Sequence, residues 1–86
     1  MKSELIIDKY GVKGWYLNSE LHREDGPAFE HVHGTKFWYI NGKRHRENGP
    51  AVEFNNGFKG WYLNGINYTK NGYKVEMMSR KLKQLL

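Results

Sequence analysis

The sequence predicts a mainly β protein, an antiparallel meander sheet built from three 23-residue repeats, with one amphipathic helix at the C-terminal end. Trp15, Trp38 and Trp61 are spaced by 23 residues with no insertion, and self-similarity at a fixed period is the signature of a repeat architecture. Each Trp lies in a short aromatic segment that leads into a turn dipeptide, as in a β-hairpin. A stripe of apolar residues at helical spacing near the end of the chain predicts the helix.

The repeats cover residues 8–30, 31–53 and 54–76. We assign residues 1–86 to a single domain, because this length suits one domain and not two. Several further positions recur at the same interval of 23. They are Gly11, Gly34 and Gly57; Tyr16, Tyr39 and Tyr62; Asn18, Asn41 and Asn64; Gly26, Gly49 and Gly72; and Glu30, Glu53 and Glu76.

Each unit is predicted to run strand, turn, strand, turn, strand, and the middle unit illustrates the pattern. Residues 36–40 are aromatic and β-branched, as strands prefer. Asn41-Gly42 follows, and Asn-Gly suits a type I′ turn because both of its central residues need positive φ. A short strand ends near His45, residues 47–50 turn the chain, and residues 51–54 form a third strand. Three such units predict about six to nine strands.

Side chains alternate between the two faces of a strand. Trp38 therefore shares one face with Lys36 and Ile40, while Phe37 and Tyr39 share the other. The same alternation in the other units produces a Trp stripe on one face and a Tyr stripe on the opposite face. We expect the Trp stripe to be the buried core, with Trp38 the most buried because a repeat flanks it on both sides.

The third unit departs from the other two, since His-Arg becomes Tyr68-Thr69 and Gly-Pro-Ala becomes 72–74. Beyond it, Val75, Met78, Leu82 and Leu85 are spaced by 3, 4 and 3 residues, which is the spacing of one helix face. We predict a helix over 74–85 whose apolar stripe covers the sheet or caps its end, because terminal repeats of such arrays carry capping elements.

The net charge of +5 is distributed unevenly, with −2 on the first repeat and +2 on each of the next two. Such a field favours anionic partners and also keeps a small protein soluble. The chain has no cysteine, which fits a reducing compartment. It has no apolar run near the roughly 20 residues of a membrane span and no signal peptide pattern. We therefore expect a cytoplasmic protein without a membrane partner.

Histidines and carboxylates are the residues that could bind a metal or catalyse a reaction. His31-x-His33 would place two imidazoles on one strand face, but no thiolate or recognisable ligand spacing accompanies them. His22 and His45 recur at the same point of the repeat, so we expect them to bond to a turn or to the glutamate of the unit. No nucleophile elbow or phosphate-binding loop is present. The sequence thus predicts no catalytic residue, no metal site and no cofactor.

The segment Trp-Tyr-Ile-Asn-Gly-Lys-Arg-His, residues 38–45, resembles the MORN repeat, a β-hairpin repeat of similar length, and the resemblance extends over roughly residues 8–76. It implies an elongated sheet with a role in protein interaction. The unit departs from MORN in its His-Arg-x-x-Gly-Pro-Ala segment. In this form it is similar to small repeat proteins of bacteriophages and large DNA viruses. That similarity implies an inhibitor or adaptor acting on host machinery, such as a defence or regulatory protein, in the host cytoplasm.

We predict a non-enzymatic protein-binding module, because aromatic residues and Arg are enriched at interaction hot spots and concentrate in the middle repeat. The predicted binding residues are Phe37, Tyr39, Lys43, Arg44 and Arg46. The alternative is a nucleic-acid-binding module that uses the basic C-terminal half, with bases stacked on the Tyr stripe and phosphates on the basic residues of the middle repeat. The sequence leaves the partner and the oligomeric state open.

Overall fold

The three units fold as successive antiparallel hairpins, and a computed structural model describes residues 2–85 of the chain. The predicted class, a mainly β antiparallel meander with one C-terminal helix, is confirmed over these residues. The elements are β1 (Glu4–Ile7), β2 (Lys13–Leu17), β3 (Glu20–Leu21), β4 (Phe29–Glu30), β5 (Lys36–Phe37), β6 (Tyr39–Ile40), β7 (Lys43–Arg44), β8 (Val52–Glu53), β9 (Lys59–Leu63), β10 (Ile66–Tyr68) and α1 (Lys70–Gln84).

The strands pair in the order β1-β2-β4-β5-β8-β9-β10, with β3 on β2 and with β6 and β7 forming a separate hairpin. Every pair is antiparallel. The sequence did not predict β1, whose residues 4–7 precede the first repeat and form an edge beside β2. The molecule measures 47 × 33 × 17 Å, and among residues 2–85 the strands outside this sheet are those of the β6-β7 hairpin.

The hairpin turns have the predicted conformation. Asn41-Gly42 has φ angles of 49° and 77°, and Asn64-Gly65 has 51° and 82°. Both central residues are thus left-handed, as a type I′ turn requires. Asn18-Ser19 adopts the same conformation with φ angles of 51° and 66°. The first unit therefore forms the hairpin even though a serine stands at the position where glycine is the least strained residue.

Alanines of the Gly-Pro-Ala segments join neighbouring units. Ala51 is fully buried; its carbonyl accepts a hydrogen bond from the Trp38 N–H (2.8 Å), and its own N–H donates to the Gly60 carbonyl of the next unit (2.9 Å). Ala28 is likewise bonded to the Trp15 N–H and to the next unit's strand. The backbone hydrogen bonds of these alanines therefore extend the strand pairing that joins one unit to the next.

The prediction that the indole rings form the buried core, with Trp38 the most buried, is wrong. All three rings are half-buried. Arginine covers two of them, since the guanidinium of Arg46 lies 3.8 Å from the Trp38 ring centroid and that of Arg23 lies 3.9 Å from Trp15. The buried apolar residues are Ala28, Ala51, Val52, Leu63 and Tyr73.

Gly49, Pro50 and Glu53 all help to position the guanidinium of Arg46 on the Trp38 ring. The Arg46 guanidinium donates to the Pro50 carbonyl (2.9 Å) and to Glu53 Oε2 (3.0 Å) while it lies on the indole. A Cβ added at Gly49 would lie 3.0 Å from Arg46 Cζ, so a larger residue there would displace the guanidinium. The recurring Gly-Pro-Ala segment and the glutamate of the unit thus hold one arginine in place over a tryptophan ring.

The helix begins at Lys70, four residues before the predicted start. Thr69 stands where the other units have the stacked arginine, and its Oγ1 accepts a hydrogen bond from the Gly72 N–H (3.0 Å), which is an N-cap. Tyr73 stands at the position of the missing proline and covers the third indole, with its ring 5.0 Å from that of Trp61. The replaced residues of the last unit therefore start and anchor the helix.

The sequence predicts that the helix covers the sheet or caps its end with its apolar stripe; the helix does pack on the last strands, but through Tyr73 and not through the stripe. Val75, Met78, Leu82 and Leu85 are 64–82% exposed, whereas Tyr73 is 5% exposed. At about 100° per residue, Tyr73 lies on nearly the opposite side of the helix from the centre of the stripe. Anchoring the helix by Tyr73 therefore turns the stripe to solvent.

The predicted structural role of the recurring histidines is confirmed. His22 Nδ1 accepts a hydrogen bond from the Asn41 N–H, and His45 Nδ1 accepts one from the Asn64 N–H, both at 2.9 Å. Each imidazole therefore binds the hairpin turn of the next unit, and neither ring is free to act as a ligand through Nδ1.

We expect His22→Ala to lower the free energy of unfolding by about 1–3 kcal/mol, because it leaves a part-buried N–H of the Asn41 turn without its acceptor. His22→Asn should recover part of the loss, since its Oδ1 can accept the same bond. Urea denaturation measures both values. His33→Ala is the matched control, as His33 is exposed, and equal losses at the two histidines would contradict the assignment.

Candidate functional site

Four phenylalanines form a continuous row on the sheet face opposite the indole rings. The Phe29 and Phe37 rings stack with centroids 5.4 Å apart, and Phe37 meets Phe54 edge-on at 5.7 Å. Phe58, in the turn before β9, extends the row with its centroid 5.7 Å from that of Phe54. The row therefore runs from the boundary of the first two units into the third.

Arg44 lies beside this row and bridges two units. Its guanidinium is 5.4 Å from the Phe37 ring centroid and 5.2 Å from that of Tyr62, and Nη1 donates to the Tyr62 hydroxyl (3.2 Å). Burial acts to lower the pKa of Arg44, but interactions with the Tyr39 and Tyr62 hydroxyls outweigh it and raise that pKa above its ordinary value. Arg44 is thus a cation held in place by aromatic and phenolic groups.

An open groove of about 490 Å³ lies between the end of the phenylalanine row and the start of α1. Phe54 and Phe58 line it, and Phe58 is 61% exposed. The cationic residues of the lining are Arg44, Lys59 and Lys70, and no carboxylate is among the lining residues that the structure describes. We call this feature the Phe58 groove; it combines exposed apolar surface with positive charge, and one of its three cations, Lys59, is also the cross-strand neighbour of Glu53.

The opposite face carries charges of both signs, with carboxylates placed between the cations. Cross-strand neighbours there alternate between basic and acidic across five strands. The row is Lys13, Glu30, Lys36, Glu53 and Lys59. The stacked arginines add to it, since Arg23 lies 3.5 Å from Glu30 and Arg46 lies 3.0 Å from Glu53. This face therefore offers no continuous track of positive charge.

The structure brings together three of the five predicted binding residues. Phe37, Tyr39 and Arg44 lie on the face that carries the phenylalanine row. Lys43 lies elsewhere, with its aliphatic stem near the Gly65 turn of the next unit. Arg46 lies on the opposite face as the cover of an indole ring, so its guanidinium is occupied within the fold.

The sequence prediction missed Phe54 and Phe58, although a signal for them exists in the repeat. The position of Phe58 is occupied by Thr35 in the middle unit and Val12 in the first, and Phe54 corresponds to His31. Phe37 and Arg44 are likewise peculiar to the middle unit. Residues shared by the units build the scaffold and part of the groove lining, whereas Phe54, Phe58 and Arg44 come from positions that differ between units.

The two neighbouring histidines lie in the turn between β4 and β5, and not on one strand face as predicted. The His31 and His33 rings stack with centroids 3.8 Å apart, and His33 Nδ1 is 3.3 Å from Thr35 Oγ1. Across residues 2–85, no group of three or more histidine, aspartate or glutamate side chains is arranged to hold a metal ion. Two stacked imidazoles supply too few ligands for a structural zinc site.

Comparison of the chain with protein-family models, with curated proteins and with solved structures finds no match. The resemblance to MORN repeats therefore stays a prediction. Between residues 2 and 85 there is no helix whose length and apolar character would carry it across a bilayer.

Proposed function

We propose that the chain is a non-enzymatic protein-binding module whose Phe58 groove takes an acidic segment of a partner, with an apolar side chain of that segment as the anchor. The observation that carries the proposal is the composition of the groove, exposed phenylalanine beside three cations with no carboxylate in the described lining. From the resemblance of the repeat to viral proteins we further propose that the partner belongs to a host cell.

Exposed phenylalanine provides the apolar part of the interaction. Phe58 stands in a turn, its ring contacts that of Phe54, and the residue is 61% exposed, so a partner side chain can cover the remaining surface. Burial of apolar surface contributes about 25 cal/mol per Å², and central aromatic anchors supply much of the energy of an interface.

Arg44 provides the polar part. Its side chain is already held by Phe37 and by the Tyr62 hydroxyl, so ordering it on binding costs little conformational entropy. Its planar fork can bind a carboxylate through two hydrogen bonds. The described lining contains no carboxylate, imidazole or thiol, which favours recognition over acid–base catalysis.

A second candidate function is the binding of single-stranded nucleic acid, and the same groove supports it. Aromatic rings beside cations form the stacking platform of many single-strand binders. Two observations favour the protein partner. Glu30 and Glu53 interrupt the positive charge of the opposite face, and the first repeat has a net charge of −2, so no continuous positive track follows the repeats.

Selection from a random-peptide display library tests the proposal. We expect enrichment of peptides with Asp or Glu next to an aromatic or aliphatic residue. Phe58→Ala and Arg44→Ala should each weaken the selected peptides by about tenfold or more, the loss expected for a hot-spot residue. Lys36→Ala, on the opposite face, is the control and should leave affinity unchanged.

A salt series separates the two functions. For a protein partner, affinity should fall weakly with salt and strongly on Phe58→Ala. For nucleic acid, labelled single-stranded DNA or RNA should bind with a slope of log K against log salt near −0.7 for each phosphate neutralised. Tight oligonucleotide binding at physiological salt, lost on Arg44→Ala, together with no selected peptide, would overturn the proposed function.

A further inference from the structure

The apolar stripe of α1 and its C-cap, formed by Val75, Met78 and Leu82 of the helix and by Leu85 at the cap, has no cover within the described chain. Each of the four side chains is at least 64% exposed, and the stripe is turned away from the sheet by the contacts of Tyr73. Scattered exposed apolar residues are normal, but a contiguous exposed patch marks an interaction site.

The helix is preformed for such an interaction. Thr69 caps its N-terminus, and the Tyr73 hydroxyl donates to the Arg46 carbonyl of the sheet. Its 15 residues make a rod about 22 Å long. A partner therefore meets an ordered surface and does not have to order the helix first.

The spacing of the stripe fits another helix. Intervals of 3, 4 and 3 residues place Val75 and Leu82 at the a positions and Met78 and Leu85 at the d positions of two heptads. In that pattern each apolar side chain inserts between four residues of a facing helix. A flat surface or an extended strand would not require this period.

The positive charge of α1 favours an acidic partner. α1 carries five basic residues and one acidic residue, and the acidic one, Glu76, is paired with Arg80 at 2.9 Å. Lys74 and Lys81 occupy the g positions, one heptad apart along one border of the stripe, where residues set partner choice by charge. A second copy of this helix would bring two strongly basic rods together and is disfavoured.

We propose that the stripe of α1 docks an acidic amphipathic helix of a partner protein, with glutamate or aspartate facing Lys74 and Lys81. This surface is separate from the Phe58 groove, so the proposal stands even if the groove has another ligand.

The probe is a synthetic fluorescent helical peptide with leucine at a and d and glutamate at e and g, titrated with the full chain. We expect saturable binding, weakened about tenfold by Leu82→Gln, since a buried leucine side chain accounts for that much affinity. The double variant Lys74→Glu, Lys81→Glu should lose this peptide and bind its lysine counterpart instead. All these positions are exposed, and the melting curve checks that each variant folds.

The matched control is the double variant Lys2→Glu, Lys9→Glu, which changes the net charge equally at residues far along the chain from α1, and it should retain the peptide. Vesicles of phosphatidylcholine with and without phosphatidylserine test the other surface that attracts basic amphipathic helices. The proposal is overturned if the peptide fails to bind, or if both double variants weaken peptide binding equally. It is also overturned if Leu82 is needed for binding to the phosphatidylserine vesicles but not for binding to the peptide, or if the chain dimerises through Leu82.

Discussion

Replacing Tyr73 by alanine is expected to lower the free energy of unfolding by about 3–5 kcal/mol, as for other buried aromatic deletions. Tyr73 is buried against Trp61 with ring centroids 5.0 Å apart. Its hydroxyl donates to the Arg46 carbonyl and accepts from the Gly49 N–H at 3.3 Å. Because a small domain has a total stability of about 5–15 kcal/mol, the variant should unfold at low denaturant or lose the docked helix.

Urea denaturation followed by tryptophan fluorescence and by circular dichroism measures this effect. Tyr73→Phe keeps the ring and removes the hydroxyl, so we expect a loss of about 1–2 kcal/mol. Tyr10→Ala is the control, because that tyrosine is 71% exposed. If Tyr73→Ala melted like the unmodified chain, the helix would not be anchored through this ring.

The second large effect is expected for Arg46→Lys, a change that preserves charge. We expect it to destabilise the fold by about 2–3 kcal/mol, because lysine cannot reproduce a planar fork that stacks on an indole and donates to several acceptors. In the structure the guanidinium covers Trp38, donates to the Pro50 carbonyl and bridges to Glu53. A shift of the urea midpoint with an unchanged slope would report the loss.

Arg80→Lys is the matched control for this substitution. Arg80 pairs with Glu76 across one helical turn at 2.9 Å, and such pairs contribute only about 0.2–0.5 kcal/mol. Its replacement should therefore change stability very little. If Arg46→Lys were as stable as the unmodified chain, the stacking of Arg46 on Trp38 would not contribute to the stability of the fold.

The candidate site was only partly predictable. Phe37, Tyr39 and Arg44 could be grouped because alternation along a hairpin places them on one face. Lys43 and Arg46 belong to the same short segment, but one lies by a neighbouring turn and the other covers an indole. Arg44 and Arg46 differ in the hydrogen-bond acceptors that lie near them. The Pro50 carbonyl and the Glu53 carboxylate accept from Arg46, which gives that arginine its structural role.

The sequence by itself determined the repeat, the hairpin turns, the antiparallel meander and the existence of the helix. These features follow from local rules, namely a period of 23 residues, positive φ at Asn-Gly, and apolar spacing of 3 and 4. Only the tertiary structure decided that the tryptophans are half-buried and that the helix turns its stripe outward. An apolar pattern specifies that a surface favours burial but does not specify what covers it. Here one ring, Tyr73, reaches Trp61 and the backbone of the middle unit and thereby sets which side of the helix faces the sheet.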